Sequence, residues 1–155
     1  MRTISFRMLS AVSIVLLLAG MAFASDADDV MKPVHQFIGG SNKGDAKTAL
    51  AACAEQAYII DDFPPYEMAW TGACATWATD YAANAQQEGI TDPVLTLGKP
   101  KHVEISGDRA YVVVPATYAF KQHGKLIKQP NSMLTAALHK DSSGWRIVSW
   151  TWSMN

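Results

Sequence analysis

Apolar residues recur at Val30, Val34, Phe37 and Ile38, the spacing of one face of a helix. Ser25 or Asp26 can cap this helix, Pro33 makes it start late or kink, and Gly39-Gly40 is expected to stop it. Asn42-Lys43-Gly44-Asp45 then reads as a turn, with Asp45 capping a short second helix through Ala46, Ala49, Leu50 and Cys53. Ala57 to Asp61 is rich in strand formers, and Asp62-Phe63-Pro64-Pro65 ends it in a loop. Thr71 is expected to cap a third, alanine-rich helix from about Gly72 to Gln87, on which Trp77, Tyr81 and Ala85 stack at intervals of four.

Beyond Gly89 the period changes from helical to alternating. Val94 to Ser106 predicts a strand, broken or bent near Gly98-Lys99-Pro100, and Gly107-Asp108 turns it into a second from Arg109 to Lys121. Gln122-His123-Gly124-Lys125 is a hairpin connection. Two more strands follow, Ser132 to Lys140 and Trp145 to Met154, joined by Asp141-Ser142-Ser143-Gly144. Helices followed by hairpin-linked strands predict one α+β domain with an antiparallel sheet.

The segment before the first helix has its own character. Arg2 and Arg7 precede an apolar run from Met8 to Ala24, no acid appears before Asp26, and Ala22-Phe23-Ala24 supplies small residues for a signal-peptidase site. Those three parts predict a signal peptide over 1–24 and a domain over 25–155 that is periplasmic or secreted. The run falls short of the about 20 apolar residues of a spanning helix. Met21 stands where a lipoprotein signal would carry its cysteine. Loss of the two arginines makes the remaining chain mildly acidic, with no basic stripe, which argues against nucleic acid or an anionic membrane as partner.

Only Cys53 and Cys74 occur, an even count in a chain bound for an oxidising space. They read either as one disulfide, closing a loop of about 20 residues, or as two buried thiols acting as small apolar residues. No histidine stands at ligand spacing from them, so no metal site is expected.

The order of these elements resembles the NTF2-like superfamily (SnoaL-like and ketosteroid-isomerase-like domains). The likeness rests on Asn42-Lys43-Gly44-Asp45 after a first helix and on Ala57-Tyr58-Ile59-Ile60-Asp61 as a strand ending in a carboxylate. It continues with a Pro-containing loop leading to Gly72, the stretch from Arg109 to Lys125, and Gly144-Trp145-Arg146-Ile147 opening the last strand. The resemblance implies a cone-shaped fold, two to three helices on a curved sheet, a tapered apolar pocket without a cofactor, and homodimerisation through the outer sheet face.

It also implies a role for Asp61, which matches the general-base position of ketosteroid-isomerase-like members. Asp62 is a rival for that role, since one residue of slippage exchanges which side chain faces inward. Both can equally be strand-end residues that turn the chain. The position matching the family's oxyanion-binding tyrosine is Phe37, and the position for a protonated acid falls near Thr135 or Ala136; none of these is an acid or a phenol.

The candidate pocket-lining residues are Phe37, Tyr58, Trp70, Trp77, Tyr81, Tyr118, Trp150 and Trp152, each also an ordinary core aromatic. His139 shares its alternation with Met133, Thr135 and Ala137 and is expected to face inward. His102 falls with Glu104 on the wetter face, and His35 and His123 read as surface residues. On the last strand Trp150 and Trp152 share a face with Val148, opposite Trp145, Ile147, Ser149 and Thr151, so one tryptophan-bearing face, either of the two, is core or pocket and the other is free for a subunit interface. Three functions fit: binding of a small apolar or amphipathic molecule, cofactor-free isomerase or lyase chemistry on Asp61 or Asp62, and an association module.

Overall fold

The computed structural model describes residues 9–154, with side chains described from Asp26 onward. The expected leader over 1–24 therefore lies outside the described residues, apart from the backbone of the first helix from Leu9. Helix α1 (Leu9–Asn42) leads through a tight turn to α2 (Ala46–Leu50), then β1 (Cys53–Ile60), β2 (Glu67–Thr71) and α3 (Ala73–Gln87). Five strands complete the chain: β3 (Ile90–Leu97), β4 (His102–Ser106), β5 (Arg109–Gln122), β6 (Lys125–Asp141) and β7 (Gly144–Ser153). Among the described residues no helix is long and apolar enough to cross a membrane.

The sheet order is β2-β1-β7-β6-β5-β3, with β4 also pairing β5. It is a curved, mixed sheet under three helices. The mixture corrects the antiparallel expectation: β1 runs parallel to β7, while every other pair is antiparallel. No hairpin joins β1 to β7, so turn geometry does not dictate their relative direction.

Curvature comes from interruptions in the ladders. Between Ala116↔Ser132 and Tyr118↔Gln129 the β5–β6 register shifts, at Pro130 and the positive-φ Asn131. A bulge of this kind bends a long ribbon while keeping it paired. It also explains why β6 begins at Lys125, well before the expected Ser132: Pro130-Asn131 interrupts the strand without ending it.

Helix α1 buries the predicted face, with Val30, Val34, Phe37 and Ile38 packed on Val112, Val114, Leu134, Ala136, Leu138 and Ile147. Gly39-Gly40 does not stop this helix, which runs on to Asn42. Gly40 serves a different purpose: a Cβ there would lie 2.6 Å from the backbone nitrogen of Ala49. Only a glycine lets α2 fold back this closely. Asp45 caps α2 as expected, accepting from the Thr48 amide at 3.0 Å and from its hydroxyl at 2.6 Å. Cys53 lies beyond that helix, at the start of β1.

Two further expectations are corrected. Thr71 ends β2 and donates to the Gln56 side chain at 3.1 Å, while the left-handed Gly72 occupies the N-cap of α3. The strand Glu67–Thr71 itself falls where a loop was expected; it forms because Met68 finds a buried place opposite Ile59. Cys53 and Cys74 are bonded, with Cα atoms 6.6 Å apart, and tie the start of β1 to α3.

Candidate functional site

The second half of strand β1 alternates: Ala57 and Ile59 are buried, Tyr58 and Ile60 exposed. Continued by one step, that alternation turns Asp61 inward and Asp62 toward solvent. The Asp61 carboxylate accepts a hydrogen bond from Trp77 Nε1 of α3 at 2.7 Å and one from the Asp62 backbone amide at 2.8 Å. Its own amide donates to the Tyr66 carbonyl, so the residue also closes the loop after β1. Burial raises its pKa from the ordinary carboxylate value to about 6, against the lowering effect of the Trp77 and Asp62 hydrogen bonds. Among the described residues no Lys, Arg or His pairs with it.

Asp61 stands on the wall of a cavity of about 490 Å³ enclosed by α1, α2, α3, β3 and the inner face of the sheet. Aromatic rings form much of its lining. Trp77 packs edge-on with Trp150 at 4.9 Å and stacks along α3 on Tyr81 at 5.5 Å, while Phe37 closes the inner end, 5.6 Å from Trp77. Across the cavity Tyr118 stacks on Phe120 at 4.8 Å and meets the edge of Trp152 at 6.4 Å.

The Tyr81 and Tyr118 hydroxyls are 2.5 Å apart, in hydrogen-bond contact. Burial pushes both phenols above their ordinary pKa, and the nearby carboxylates of Asp61 and Asp62 push the same way. Both therefore remain neutral at working pH. One hydroxyl donates to the other, which leaves the second proton free for an acceptor in the cavity.

Of the predicted pocket residues, the cavity brings together Phe37, Trp77, Tyr81, Tyr118, Trp150 and Trp152, with Asp61 and Asp62. Three stand elsewhere. Tyr58 is 53% exposed on the outer sheet face, because its neighbours Ala57 and Ile59 take the inner one. Trp70, on β2, lies over the start of α3 and donates to the Thr76 hydroxyl at 3.3 Å. His139 faces outward and pairs with Asp108 at 2.8 Å, because Leu134, Ala136 and Leu138 are the buried set on β6. His102, as expected, lies exposed beside Glu104.

The tryptophans of β7 resolve differently from simple alternation. Leu138 pairs with Ile147 but Ala137 pairs with Ser149, so Val148 is an extra residue. This bulge returns Trp150 and Trp152 to the side that already holds Ile147. Trp145, paired with Lys140, joins the same inner layer. No tryptophan of β7 is left for an outer interface.

Sequence reasoning did not find Phe63, which packs 6.1 Å from Tyr81, nor Asn42 at the rim. Asn42 holds β3 with both ends of its amide, donating to the Leu95 carbonyl at 2.8 Å and accepting from the Leu95 amide at 2.9 Å. Its place in the Asn-Lys-Gly-Asp turn was the available signal.

Comparison with known proteins identifies the architecture. No protein-family model matches the sequence, and no curated protein matches it either. Solved structures do. An NTF2-like protein with a cystatin-like fold from Novosphingobium aromaticivorans superposes with a TM-score of 0.69 at 16% identity, covering 89% of this chain and 87% of that one. The chain has the NTF2-like fold. An NTF2-like superfamily protein from Salmonella enterica matches with a TM-score of 0.70 at 13% identity, over 85% of this chain and 92% of its own. A ketosteroid isomerase-like protein from Erwinia carotovora matches at 0.65 and 14%, over 83% and 95%. At such identities the NTF2-like fold is shared while the site must be read from this chain's own residues.

Proposed function

We propose that this domain acts outside the cytoplasm as a receptor for one small, largely apolar molecule bearing a polar group, held in the cone. The observation that carries the reading is the cavity of about 490 Å³, walled by Phe37, Trp77, Tyr118, Trp150 and Trp152 and bearing Asp61 and the tyrosine pair. A volume of this size suits a drug-sized ligand, and a few polar groups in an apolar lining fix orientation. The leader-like residues 1–24 and the bonded cysteines support export. Titration of the purified domain with a neutral hydrophobic fluorophore tests the reading, with tryptophan emission as readout. Saturable one-to-one quenching is expected, and it should disappear when Ala78, on the α3 wall, is changed to Trp and fills the space. Binding that is absent, or indifferent to Ala78→Trp, removes the receptor reading.

A second reading is favoured by Tyr81 and Tyr118. They supply an acidic neutral donor, a phenol, where the matching positions at Phe37 and at Thr135 or Ala136 hold neither phenol nor acid, and they do so in the same cavity as Asp61. Asp61, with a pKa near 6, would abstract a proton beside a carbonyl while the phenol donates to the developing enolate oxygen. Turnover of an enolisable ketone that is lost in Asp61→Asn would establish this chemistry. The outer face is the proposed homodimer surface: Tyr58 and Ile60 stand there beside the uncharged Ser149, Thr151 and Thr135, with Glu67 at the β2 edge opposite Ile60. A monomeric mass in solution would remove that assignment.

A further inference from the structure

The cavity has an electrical sign. Among the described residues its ionisable lining consists of Asp61, Asp62 and Glu88 with the two neutral phenols Tyr81 and Tyr118, and no Lys, Arg or His contributes to it. Asp62 and Glu88 are exposed at the rim, whereas Asp61 is set into the wall. Buried charges in folded proteins are ordinarily paired. Asp61 has hydrogen-bond donors but, among the described residues, no counter-charge: it accepts from the neutral Trp77 indole and the Asp62 amide, and the neighbouring Asp62 carboxylate adds like charge that disfavours its ionisation. A carboxylate accepts at about four sites on its two oxygens, so acceptor capacity remains on this one.

The rings around that carboxylate act in the same sense. Trp77, Tyr81 and Phe63 form a continuous group on its side of the cavity, with Trp77 both bonded to Asp61 and stacked on Tyr81. Aromatic faces carry negative potential and attract an organic cation within about 6 Å of the ring centre. An anion entering the cone meets three carboxylates and ring faces, offset only by neutral donors, the free phenol proton of the Tyr81–Tyr118 pair and the indole N–H of Trp150, unpartnered among the described residues. A neutral ligand leaves Asp61 uncompensated. A cation completes the pair and stacks on the rings.

We propose that the ligand of this cone is an amphipathic organic cation, a small hydrophobic amine or quaternary ammonium whose charged head sits between Asp61 and the Trp77–Tyr81 rings and whose apolar body lies against Trp150, Trp152 and Leu134. The proposal rests on the receptor reading and narrows it by charge.

Three ligands with one ring system separate the two claims: naphthylmethylammonium, naphthylmethanol and naphthoate, titrated into the purified domain by tryptophan quenching near neutral pH. The ammonium should bind about tenfold tighter than the alcohol, a difference within the range of a cation–π contact plus a partly buried ion pair. The naphthoate should bind least. Asp61→Asn, checked for native folding by circular dichroism, should bring ammonium and alcohol within about twofold, while Glu88→Gln at the rim keeps most of the preference. In the unaltered protein the ammonium-to-alcohol ratio should fall as Asp61 is protonated below about pH 6, a readout that needs no variant. Equal binding of ammonium and alcohol, or a ratio that does not change with pH, overturns the cation assignment and leaves the receptor standing. Failure of all three ligands to bind sinks both.

Discussion

Replacing Asp61 by Asn tests the electrostatics of the cavity through stability alone. Burial raises the folded-state pKa of Asp61 to about 6 from the ordinary 3.8. The native state therefore holds this proton over a range where the unfolded chain has already released it. Stability rises with pH only where the unfolded state binds more protons, so here it must fall as pH rises. The contribution of the protonated side chain is fully present below about pH 4 and is lost as pH passes through about 6. A shift of about two units at 1.36 kcal/mol each makes the ionised carboxylate cost on the order of 3 kcal/mol at neutral pH. Asparagine has no such proton to lose. Urea denaturation of both proteins between pH 4 and pH 7.5, disulfide intact, should show the native protein losing about 2 to 3 kcal/mol relative to Asp61→Asn across that interval. Groups remote from Asp61 cancel in the difference, while the like charge of Asp62 beside it is part of the loss being read. Curves that stay parallel, or a native protein that gains on the variant as pH rises, would refute the account of a desolvated and unpaired carboxylate.

Three further outcomes follow from the packing. Gly39 and Gly40 should respond oppositely to alanine. Gly40→Ala drives a methyl into the Ala49 backbone and should cost 2 kcal/mol or more, roughly, whereas Gly39→Ala meets nothing within 4 Å and should gain about 0.5 to 1 kcal/mol of helix propensity; thermal melts rank the pair. Reducing the Cys53–Cys74 bond, which spans 21 residues, should lower stability by about 3 kcal/mol in denaturant titrations. His139→Ala should leave ligand titrations unchanged, because its ring faces Asp108 outside the cavity; a loss of binding would place it back in the site.

Local rules account for the elements with short-range causes. The spacing of Val30, Val34, Phe37 and Ile38 sufficed for the buried face of α1, and Asp45 capped α2 because its side chain reaches an amide only three residues on. Gly40 shows where such rules stop. Read locally, a glycine pair ends a helix; in the fold, one of the two is there so that another helix can approach. Thr71 is similar, a good cap by residue type that was taken instead by the β2–β1 ladder and Gln56.

The sequence by itself determined the acidic sign of the domain, the pairing-competent cysteines, the order of its helices and of every strand but Glu67–Thr71, and an aromatic supply large enough to line a pocket, because each depends on residue type or near-neighbour spacing. Tertiary structure decided which faces those residues would see. A single extra residue at Val148 returned Trp150 and Trp152 to the side of Ile147, and packing of α1 and α3 chose the Ala57–Ile59–Asp61 side of β1 as the inner one, sending Tyr58 out and the carboxylate in. The contact between Tyr81 and Tyr118 joins positions 37 residues apart on a helix and a strand. No periodicity encodes such a meeting, because it depends on how far the sheet curls, and that is set by bulges whose effect accumulates across several strands.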